Sequence, residues 1–439
     1  MEGHPKEIKG ELSDWAKWTK EAGRILDNSH ADQACEYYYR FDEDLSLIKD
    51  LNLGAFRISL NWPALLGDDI NGTTLDRGQV EHYRKLLTGL KENGIKTFVT
   101  LFHFCLPDEL SQKGGWLNPE TAKHFGHFAE LVSKELGDLV DYWITINEPL
   151  AYVFQGFIAG TWPPGYKYDY LKAFTALRQF LIGHSLAYDG IRVHSRAPIS
   201  FTCHWRPFLP KNRFNPLDHL VRFYRDDVFN HVFPRAVDQG VLSFPLPLST
   251  NLSIIKLEGE IPGLKGKSDY LAINYYTREL SRFRPGWPLD IFGENSPDNE
   301  LDVSDMGWEI YPQGLYDLLT KETKPYQKNL DGSTRPIIIT ENGYANRFAP
   351  ELTEGDWSLI DEQRVSYLRM HLAALYKAIK EGVDVRGYLY WSLLDNFEWA
   401  EGLTARFGLV RVSYPTQQRL LRSSAKVYQE IARNNAVQL

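Results

Sequence analysis

The chain contains little cysteine, with only three such residues in 439. Cys35, Cys105 and Cys203 are widely separated, odd in number and without Cys-x-x-Cys spacing. This usage excludes a disulfide framework and a cysteine-based zinc site. It predicts the reduced, mostly buried thiols of a cytoplasmic protein.

Long apolar runs and excess positive charge are also absent. No stretch approaches the ~20 apolar residues that span a bilayer. The first 15 residues, MEGHPKEIKGELSDW, lack the apolar core of a signal peptide. The net charge of −8 argues against nucleic acid and against an anionic membrane as partners. We therefore expect a cytoplasmic protein that acts on a small molecule.

One pattern does repeat along the chain. Short apolar runs typical of strands lie at residues 55–60, 96–104, 142–147, 198–205, 270–276, 336–342 and 385–394. Longer stretches with helical spacing separate them, such as 80–94, 173–194 and 365–382. This alternation predicts parallel strands joined by helical crossovers. No linker divides residues 1–439, so we predict one α/β domain, a (β/α)8 TIM barrel with long loops at 206–217, 243–265 and 281–307.

The number of strands falls one short of a closed barrel. Seven candidates are present, and nothing before residue 36 supplies another, because residues 11–25 look helical or irregular. We therefore predict an incomplete barrel that lacks its first strand. Its two open edges would leave backbone groups unpaired. We expect residues 4–30 or a second subunit to cover the opening, or the opening to stay hydrated and mobile.

Two of the strand candidates end on glutamate. The run PIIITENGYA (336–345) delivers Glu341, and DYWITINEPL (141–150) delivers Asn147 and Glu148. Barrel enzymes carry their functional residues at the carboxyl ends of the strands. The same rim is predicted to carry further polar and aromatic side chains, namely Arg57, His103, His204, Trp205, Asn274, Tyr276, Trp391, Glu398 and Trp399.

Each of these residues alone is more often structural than functional. Together they suit glycoside hydrolysis by a pair of carboxyl groups, which needs neither a metal ion nor an organic cofactor. Arg57 and Tyr276 are expected to keep one glutamate ionised. Repulsion and burial would then raise the pKa of the other glutamate and keep it an acid. Asn147 is expected to bind the sugar 2-hydroxyl.

The motifs TINEP (145–149) and ITENG (339–343) are similar to the two signatures of family 1 glycoside hydrolases, the β-glucosidase family. Further segments also resemble that family, including FRISLNWPALL (56–66), KSDYLAINYYT (267–277), MGWEIYPQGLY (306–316) and YLYWSLLDNFEWAEG (388–402). The resemblance implies a retaining mechanism on β-glucosides or β-galactosides, with Glu341 as nucleophile and Glu148 as general acid/base.

The resemblance also implies roles for the remaining rim residues. Arg57, Tyr276 and Asn274 would support the nucleophile. His103, Asn147, Glu398 and Trp399 would bind the glycone above Trp391, and Trp308 would form a platform on the leaving-group side. The family's phospho-β-glucosidases usually carry serine at the position of Glu398, so the resemblance implies a non-phosphorylated glycone.

The chain also departs from the family pattern. The family opens with a strand that ends in Q-x-E-G, whereas this sequence begins MEG, without that glutamine and strand. Cys105, Asn61 and Ala64 replace the usual Asp, Ser and Arg. Two interpretations therefore stand side by side. The protein is either an active exo-β-glycosidase with an open barrel, or a feeble or inactive member that serves as a sugar-binding or scaffold protein.

Overall fold

A computed structural model describes residues 12–67, 73–245, 251–284, 294–295, 301–346 and 357–438. Its centre is a curled sheet of seven parallel strands. In spatial order these strands are β1 (Ala55–Ser59), β2 (Lys96–Phe102), β3 (Tyr142–Asn147), β4 (Ile199–Trp205), β8 (Leu271–Tyr275), β11 (Ile337–Glu341) and β12 (Val385–Tyr388). The predicted incomplete (β/α)8 barrel is therefore the observed fold.

Among the described residues, seven short strands lie outside the central sheet. They are β5 (Phe208–Pro210), β6 (Val241–Leu242), β7 (Gly259–Glu260), β9 (Glu279–Arg282), β10 (Glu294–Asn295), β13 (Val410–Ser413) and β14 (Gln418–Leu421). The strands β5, β9 and β10 form a small sheet, and the other four form two hairpin-like pairs. Because β5 and β9 follow β4 and β8 directly, their sheet extends the rim at the carboxyl ends of those strands.

Helices connect and surround the strands. They are α1 (Asp14–Trp18), α2 (Tyr37–Asp50), α3 (Trp62–Leu66), α4 (Arg77–Glu92), α5 (Asp108–Gln112), α6 (Pro119–Leu136), α7 (Pro149–Val153), α8 (Tyr170–His194), α9 (Pro216–Asp226), α10 (Val232–Gln239), α11 (Leu252–Ile255), α12 (Pro312–Asp317), α13 (Trp357–Lys380) and α14 (Ser423–Asn434). No helix among the described residues is long and apolar enough to cross a membrane.

The strands read as continuous apolar runs because both of their faces are covered. All five residues of β11 and all seven of β4 are buried, between the barrel interior and the outer helices. A polar residue therefore finds water or a ligand mainly where its strand ends. This is why the glutamates at the ends of these runs lie at the mouth.

The last barrel strand is shorter than predicted. We expected it to span 385–394, but β12 ends at Tyr388. Leu389 and Trp391 still donate their N–H groups to Ile339 O and Asn342 O, but from Ser392 onward the partner changes. Ser392 donates to Phe407 O, and Leu394 pairs with Val410. The segment that leads into β13 is therefore the competing partner of residues 392–394.

The sheet is open between β1 and β12, which have no strand partner on their outer sides among the described residues. A cavity of about 250 Å³ lies there, lined by residues 55–61 and 389–394. Leu12, Ser13, Ala16 and Tyr37 also line it, and Tyr37 stacks on Phe56. Part of the predicted 4–30 segment thus borders the opening. Residues 4–11, and the Glu2-Gly3 motif, lie outside the described residues.

The first helix is anchored to the rim. Ser13 pairs with Pro107, and Asp14 Oδ1 accepts from the backbone N–H of Leu106 at 3.0 Å. Trp15 is fully buried, with its ring 4.8 Å from that of Trp399. These contacts place α1 beside the barrel mouth rather than along the whole length of the open edge.

Candidate active site

The first carboxylate of the site is Glu341, the last residue of β11. Its side chain is only 6% exposed. Arg57 donates from Nη1 to Glu341 Oε1 at 2.5 Å, and the Tyr276 hydroxyl donates to Oε2 at 2.6 Å. Each carboxylate oxygen thus holds one donor, which favours the ionised form. This is the arrangement expected for a supported nucleophile.

The turn after Glu341 is fixed by a close backbone approach. Trp391 donates its N–H to Asn342 O at 3.0 Å. A Cβ atom added to Gly343 would lie 1.9 Å from Trp391 O, so only glycine fits there. The side chain of Asn342 donates to Tyr275 O and accepts from Tyr388 Oη, both at 2.7 Å. These bonds hold the Thr-Glu-Asn-Gly turn against the neighbouring strands.

The second carboxylate, Glu148, directly follows β3. Its φ of 44° lies in the left-handed region, and its N–H donates to Thr202 O of β4 at 3.0 Å. Asn274 Nδ2 donates to Glu148 Oε1 at 2.6 Å, and His204 Nδ1 lies 3.5 Å from Oε2. The side chain is 9% exposed. A strained backbone and two polar neighbours therefore define its position.

Asn274 does not occupy its predicted place. We expected it to support the nucleophile, but its amide nitrogen bonds to Glu148. Its Oδ1 accepts from Thr340 Oγ1 at 2.7 Å. The reason is that Asn274 lies on β8, between β4 and β11. Glu148 bonds to Thr202 on the β4 side, and Thr340 lies on the β11 side. Asn274 therefore connects the acid/base candidate to the strand that carries the nucleophile candidate.

Arg57 forms a second link between the two glutamate positions. Its Nη2 donates to Asn147 Oδ1 at 2.6 Å, and its Nε donates to Thr100 Oγ1 at 3.0 Å. Asn147 Oδ1 also accepts from Thr202 Oγ1 at 2.8 Å. Because both groups donate to the same side-chain atom of Asn147, that atom must be the amide oxygen and not the amide nitrogen. Its amide nitrogen is therefore the group that can donate to a sugar hydroxyl, as expected for that residue.

The pKa shifts of the two carboxyl groups indicate that they hold one proton between them at neutral pH. Burial raises the pKa of Glu341 to about 7, although Arg57 opposes the effect. Burial also acts on Glu148, but His204 and the Asn274 donor outweigh it and lower the pKa of Glu148. Interacting carboxyls titrate as a pair, so the pair retains one proton until the pH passes about 7.

The location of that proton follows from the donors. Burial lowers the pKa of His204, so this imidazole is neutral at neutral pH. The lowering of the Glu148 pKa that a charged His204 causes is then lost, and burial again favours the protonated form of Glu148. Arg57, by contrast, is always charged and bonds to Glu341. The negative charge is therefore favoured on Glu341 and the proton on Glu148, which is the division that an acid and a nucleophile require.

The predicted glycone residues lie together beside this pair. The ring of His103 is 6.0 Å from that of Trp391 and 5.7 Å from that of Trp399. Ser59 Oγ is 2.7 Å from His103 Nδ1, which fixes the ring, and burial lowers the pKa of His103 well below its usual value. Burial raises the pKa of Glu398 to about 8. A neutral imidazole and a carboxylic acid, both able to donate and accept, suit sugar hydroxyls.

Trp308 lies next to the nucleophile side of the site. Its ring is 5.3 Å from that of Tyr276 and 6.2 Å from that of Phe407, and it is only partly buried. A partly buried indole beside Tyr276, which bonds to Glu341, can stack on a leaving group, and the platform role stays a prediction.

Sequence reasoning missed several hydroxyl groups that complete the network. These are Ser59, Thr100, Thr202 and Thr340, each a hydrogen-bond partner described above. His204 was placed on the rim without a role, yet it adjoins Glu148. The sequence did contain a signal for them. Thr202 and His204 are two residues apart on β4 and so share one face of the strand next to β3, which delivers Glu148.

The chain is similar to known proteins of one family. The model of the family "Glycosyl hydrolase family 1" matches residues 1–437. Beta-glucosidase A of Thermotoga maritima is 32% identical over 444 aligned positions, covering 100% of this chain and 95% of that protein. Beta-glucosidase 42 of Arabidopsis thaliana is 32% identical, covering 94% of this chain and 87% of that protein.

Solved structures are also similar. The family 1 β-glucosidase from Thermotoga maritima superimposes with a TM-score of 0.88 at 30% identity, covering 100% of this chain and 96% of that one. The T. maritima β-glucosidase in complex with glucoimidazole gives a TM-score of 0.88 at 31% identity, with the same coverage.

Proposed function

The chain belongs to glycosyl hydrolase family 1, and from that premise we propose that it is a retaining exo-β-glycosidase of the β-glucosidase type. Its substrates would be β-glucosides or β-galactosides with a non-phosphorylated terminal sugar. Two glutamates in one hydrogen-bonded network, at the ends of two barrel strands, carry this proposal.

In the first step, the Glu341 carboxylate attacks the anomeric carbon while Glu148 gives its proton to the glycosidic oxygen. The bond from that carbon to the glycosidic oxygen breaks, the alcohol leaves, and the sugar is held as an ester on Glu341. Hydrogen bonds from Arg57 and Tyr276 orient the Glu341 carboxylate for this attack. The amide nitrogen of Asn147 is in place to bind the sugar 2-hydroxyl, a contact that strengthens in the transition state.

In the second step, Glu148 acts as a base. It takes a proton from water, the water oxygen bonds to the anomeric carbon, and the ester bond to Glu341 breaks. Two substitutions at the same carbon retain its configuration. Asn274 and His204 hold Glu148 in one place for both steps, which need the same carboxyl group first protonated and then ionised.

The pocket favours an uncharged sugar. His103, Trp399 and Glu398 surround it, and none of these side chains brings a fixed positive charge. A carboxyl group at position 398 offers hydrogen bonds to hydroxyls, but it repels a phosphate once it ionises. This supports the preference for a non-phosphorylated glycone.

Hydrolysis of p-nitrophenyl β-D-glucoside by the wild-type chain and by Glu341→Gln tests the proposal. Turnover is expected in the wild type and is expected to vanish in the variant. Glu148→Ala should regain turnover with azide, which attacks the glycosyl ester without needing a base, and should yield β-glucosyl azide. A folded wild-type chain that binds glucose analogues without turnover would instead indicate a sugar-binding protein.

A further inference from the structure

Three side chains able to bind a metal ion converge at a point that the glutamate site does not include. Asp226 is the last residue of α9, His231 ends the π-helical turn Asp227–His231, and Glu322 ends the π-helical turn Leu318–Glu322. Their potential ligand atoms all lie within 4.8 Å of one another. Turns of this kind are rare and are frequent at functional sites. The group therefore suits a search for a ligand.

The imidazole of His231 is held so that Nε2 faces the two carboxylates. Tyr326 Oη lies 2.9 Å from Nδ1, and the Tyr326 ring stacks on the imidazole with the centroids 5.8 Å apart. The ring of Trp205, the last residue of β4, packs edge-on at 5.5 Å. Nε2 is 3.8 Å from Asp226 Oδ1 and 3.8 Å from Glu322 Oε2. Both distances are too long for a hydrogen bond, so Nε2 has no hydrogen-bond partner among the described residues.

A proton on Nε2 fits these separations poorly. When the N–H of Nδ1 is donated to Tyr326, the lone pair of Nε2 faces two carboxylate oxygens, and some positive charge must lie between them. A proton at Nε2 would hydrogen-bond to neither oxygen across 3.8 Å. A metal ion about 2.1 Å from each ligand atom, in tetrahedral geometry, needs those atoms about 3.4 Å apart. Small side-chain rotations would close that difference.

The other contacts of Asp226 leave one lone pair available. Asp226 Oδ1 accepts from Asn230 Nδ2 at 2.7 Å and keeps a second lone pair, which points to no other described donor. Arg222 lies 3.4 Å from the other oxygen, Oδ2. The carboxylate can therefore bind an ion without losing either contact.

The charges at this place favour a cation. Asp226 and Glu322 are accompanied by one guanidinium, that of Arg222. Lys321 precedes Glu322 in sequence, but it pairs with Asp317 at 2.7 Å. These side chains together carry one negative charge when the imidazole is neutral. A divalent ion would compensate that charge.

We propose that Asp226, His231 and Glu322 bind a divalent transition-metal ion, with Zn²⁺ as the expected occupant. Zn²⁺ accepts imidazole nitrogen and carboxylate oxygen, and three protein ligands leave its fourth position for water. Glu322 is 30% exposed, so water reaches the ion from that side. Mg²⁺ and Ca²⁺ take oxygen ligands, so the imidazole disfavours them. The cysteine content of the sequence excluded only a site built from thiolates.

The ion would brace the rim next to the acid/base candidate. Asn230 Nδ2 donates to Asp226 Oδ1 and also to Arg206 O at 2.6 Å, while Arg206 N donates to Asn230 Oδ1 at 3.1 Å. Arg206 Nε in turn lies 3.4 Å from His204 Nε2, and His204 adjoins Glu148. A fixed Asp226 thus supports the segment that directly follows β4. The ion is assigned a structural role and takes no part in the hydrolysis.

Calorimetric titration of Zn²⁺ into the chelator-treated 439-residue chain tests the proposal. Wild-type protein should bind one ion with a micromolar or lower dissociation constant. Its melting temperature should rise by roughly 3 °C when Zn²⁺ is in hundredfold excess over that constant, because only the folded chain presents the three ligands together. Glu322→Gln and His231→Phe should each weaken binding at least about tenfold. Glutamine keeps the size of Glu322, and phenylalanine keeps a ring beside Trp205 and Tyr326.

Glu130→Gln is the matched control. Glu130 also lies between two imidazoles, 4.0 Å from His127 Nδ1 and 4.0 Å from His194 Nε2, but its side chain is 45% exposed. This variant should bind Zn²⁺ like wild type. Melting without metal checks that each variant is folded.

Three results would overturn the proposal. The first is a wild-type chain that does not bind Zn²⁺, which would leave an ion-pair network in which His231 is protonated. The second is binding that survives Glu322→Gln unchanged, and the third is binding that Glu130→Gln abolishes, because the ion would then be held elsewhere. Should His231→Phe fail to fold, Glu322→Gln decides alone, since Glu322 lies partly in solvent.

Discussion

Arg57 and Glu341 form an ion pair at 2.5 Å in which each side chain is only 6% exposed. The other terminal nitrogen of the same guanidinium bonds to Asn147. One side chain therefore positions both the candidate nucleophile and the candidate ligand of the sugar 2-hydroxyl. The planar, forked geometry of arginine makes this double contact possible.

Replacing Arg57 by lysine should strongly reduce hydrolysis. Lysine keeps the positive charge but cannot reach Glu341, Asn147 and Thr100 at once. We expect kcat/KM for p-nitrophenyl β-D-glucoside to fall by about a hundredfold or more, the size seen when a positioned donor is lost. Steady-state kinetics would measure it.

Arg225→Lys is the matched control, since Arg225 also forms a buried ion pair, with Glu279. Both variants are expected to lose stability, which thermal melting would record. Only Arg57→Lys should lose activity beyond that effect. Equal activity losses in the two variants would mean that Arg57 acts through the fold alone.

The pH dependence should reflect the shared proton of the glutamate pair. Because burial raises the pKa of Glu341 to about 7, the pair holds one proton below that pH and loses it above. Without the proton no acid remains to protonate the leaving group. We expect kcat/KM to fall as the pH rises past about 7, in a profile recorded with a substrate whose leaving group needs protonation.

Tyr276→Phe should move that profile in a known direction. The Tyr276 hydroxyl bonds to Glu341 and lowers its pKa by stabilising the ionised form. Without it the pKa of the pair rises, so the alkaline limb should shift to higher pH while the maximal rate falls. A shift to lower pH would contradict the assigned hydrogen bond.

Glu398 should reduce stability at alkaline pH. Burial raises its pKa from 4.5 to about 8, so the folded state binds a proton that the unfolded state has released between those values. Stability contributed by this group is therefore lost as the pH rises from about 4.5 through about 8. Glu398→Gln, which stays neutral, should melt at the same temperature as wild type near pH 4.5 and at a higher temperature at pH 8. An equal melting difference at both pH values would show that ionisation of Glu398 is not the cause.

The ends of the strands were the most predictable part of the site. A buried parallel strand is mostly apolar, so the carboxylates at the ends of the runs 142–147 and 336–342 were expected to lie at one rim. The hydrogen-bond partners of each side chain were harder to predict. Asn274 was assigned to the nucleophile by the family resemblance, but its amide nitrogen donates to Glu148. Sequence gives the strand that carries a side chain, not the neighbour toward which it turns.

The other differences arise from tertiary competition. Residues 389–394 have a strand-like pattern, yet residues 392–394 pair with segment 407–410 instead of continuing the barrel strand. For α9 the spacing of Leu217, Leu220 and Phe223 would indicate a buried apolar face, yet all three side chains are exposed. The ion pair of Arg225 with Glu279, which is distant in sequence, instead sets the orientation. Local pattern cannot report partners supplied by another part of the chain.

Hydrogen exchange should reveal the open edge of the barrel. Successive amides of a parallel strand point to alternate sides, and those of β1 that point away from β2 have no strand partner among the described residues. They border a cavity of about 250 Å³. We expect alternate amides of Ala55–Ser59 to exchange much faster than their neighbours, and β12 to behave similarly. Strand β3, flanked by β2 and β4, should be protected throughout and serves as the internal reference.

Uniform protection of β1 in a monomer would show that the opening is closed. Protection that disappears on dilution would show that a second subunit closes it.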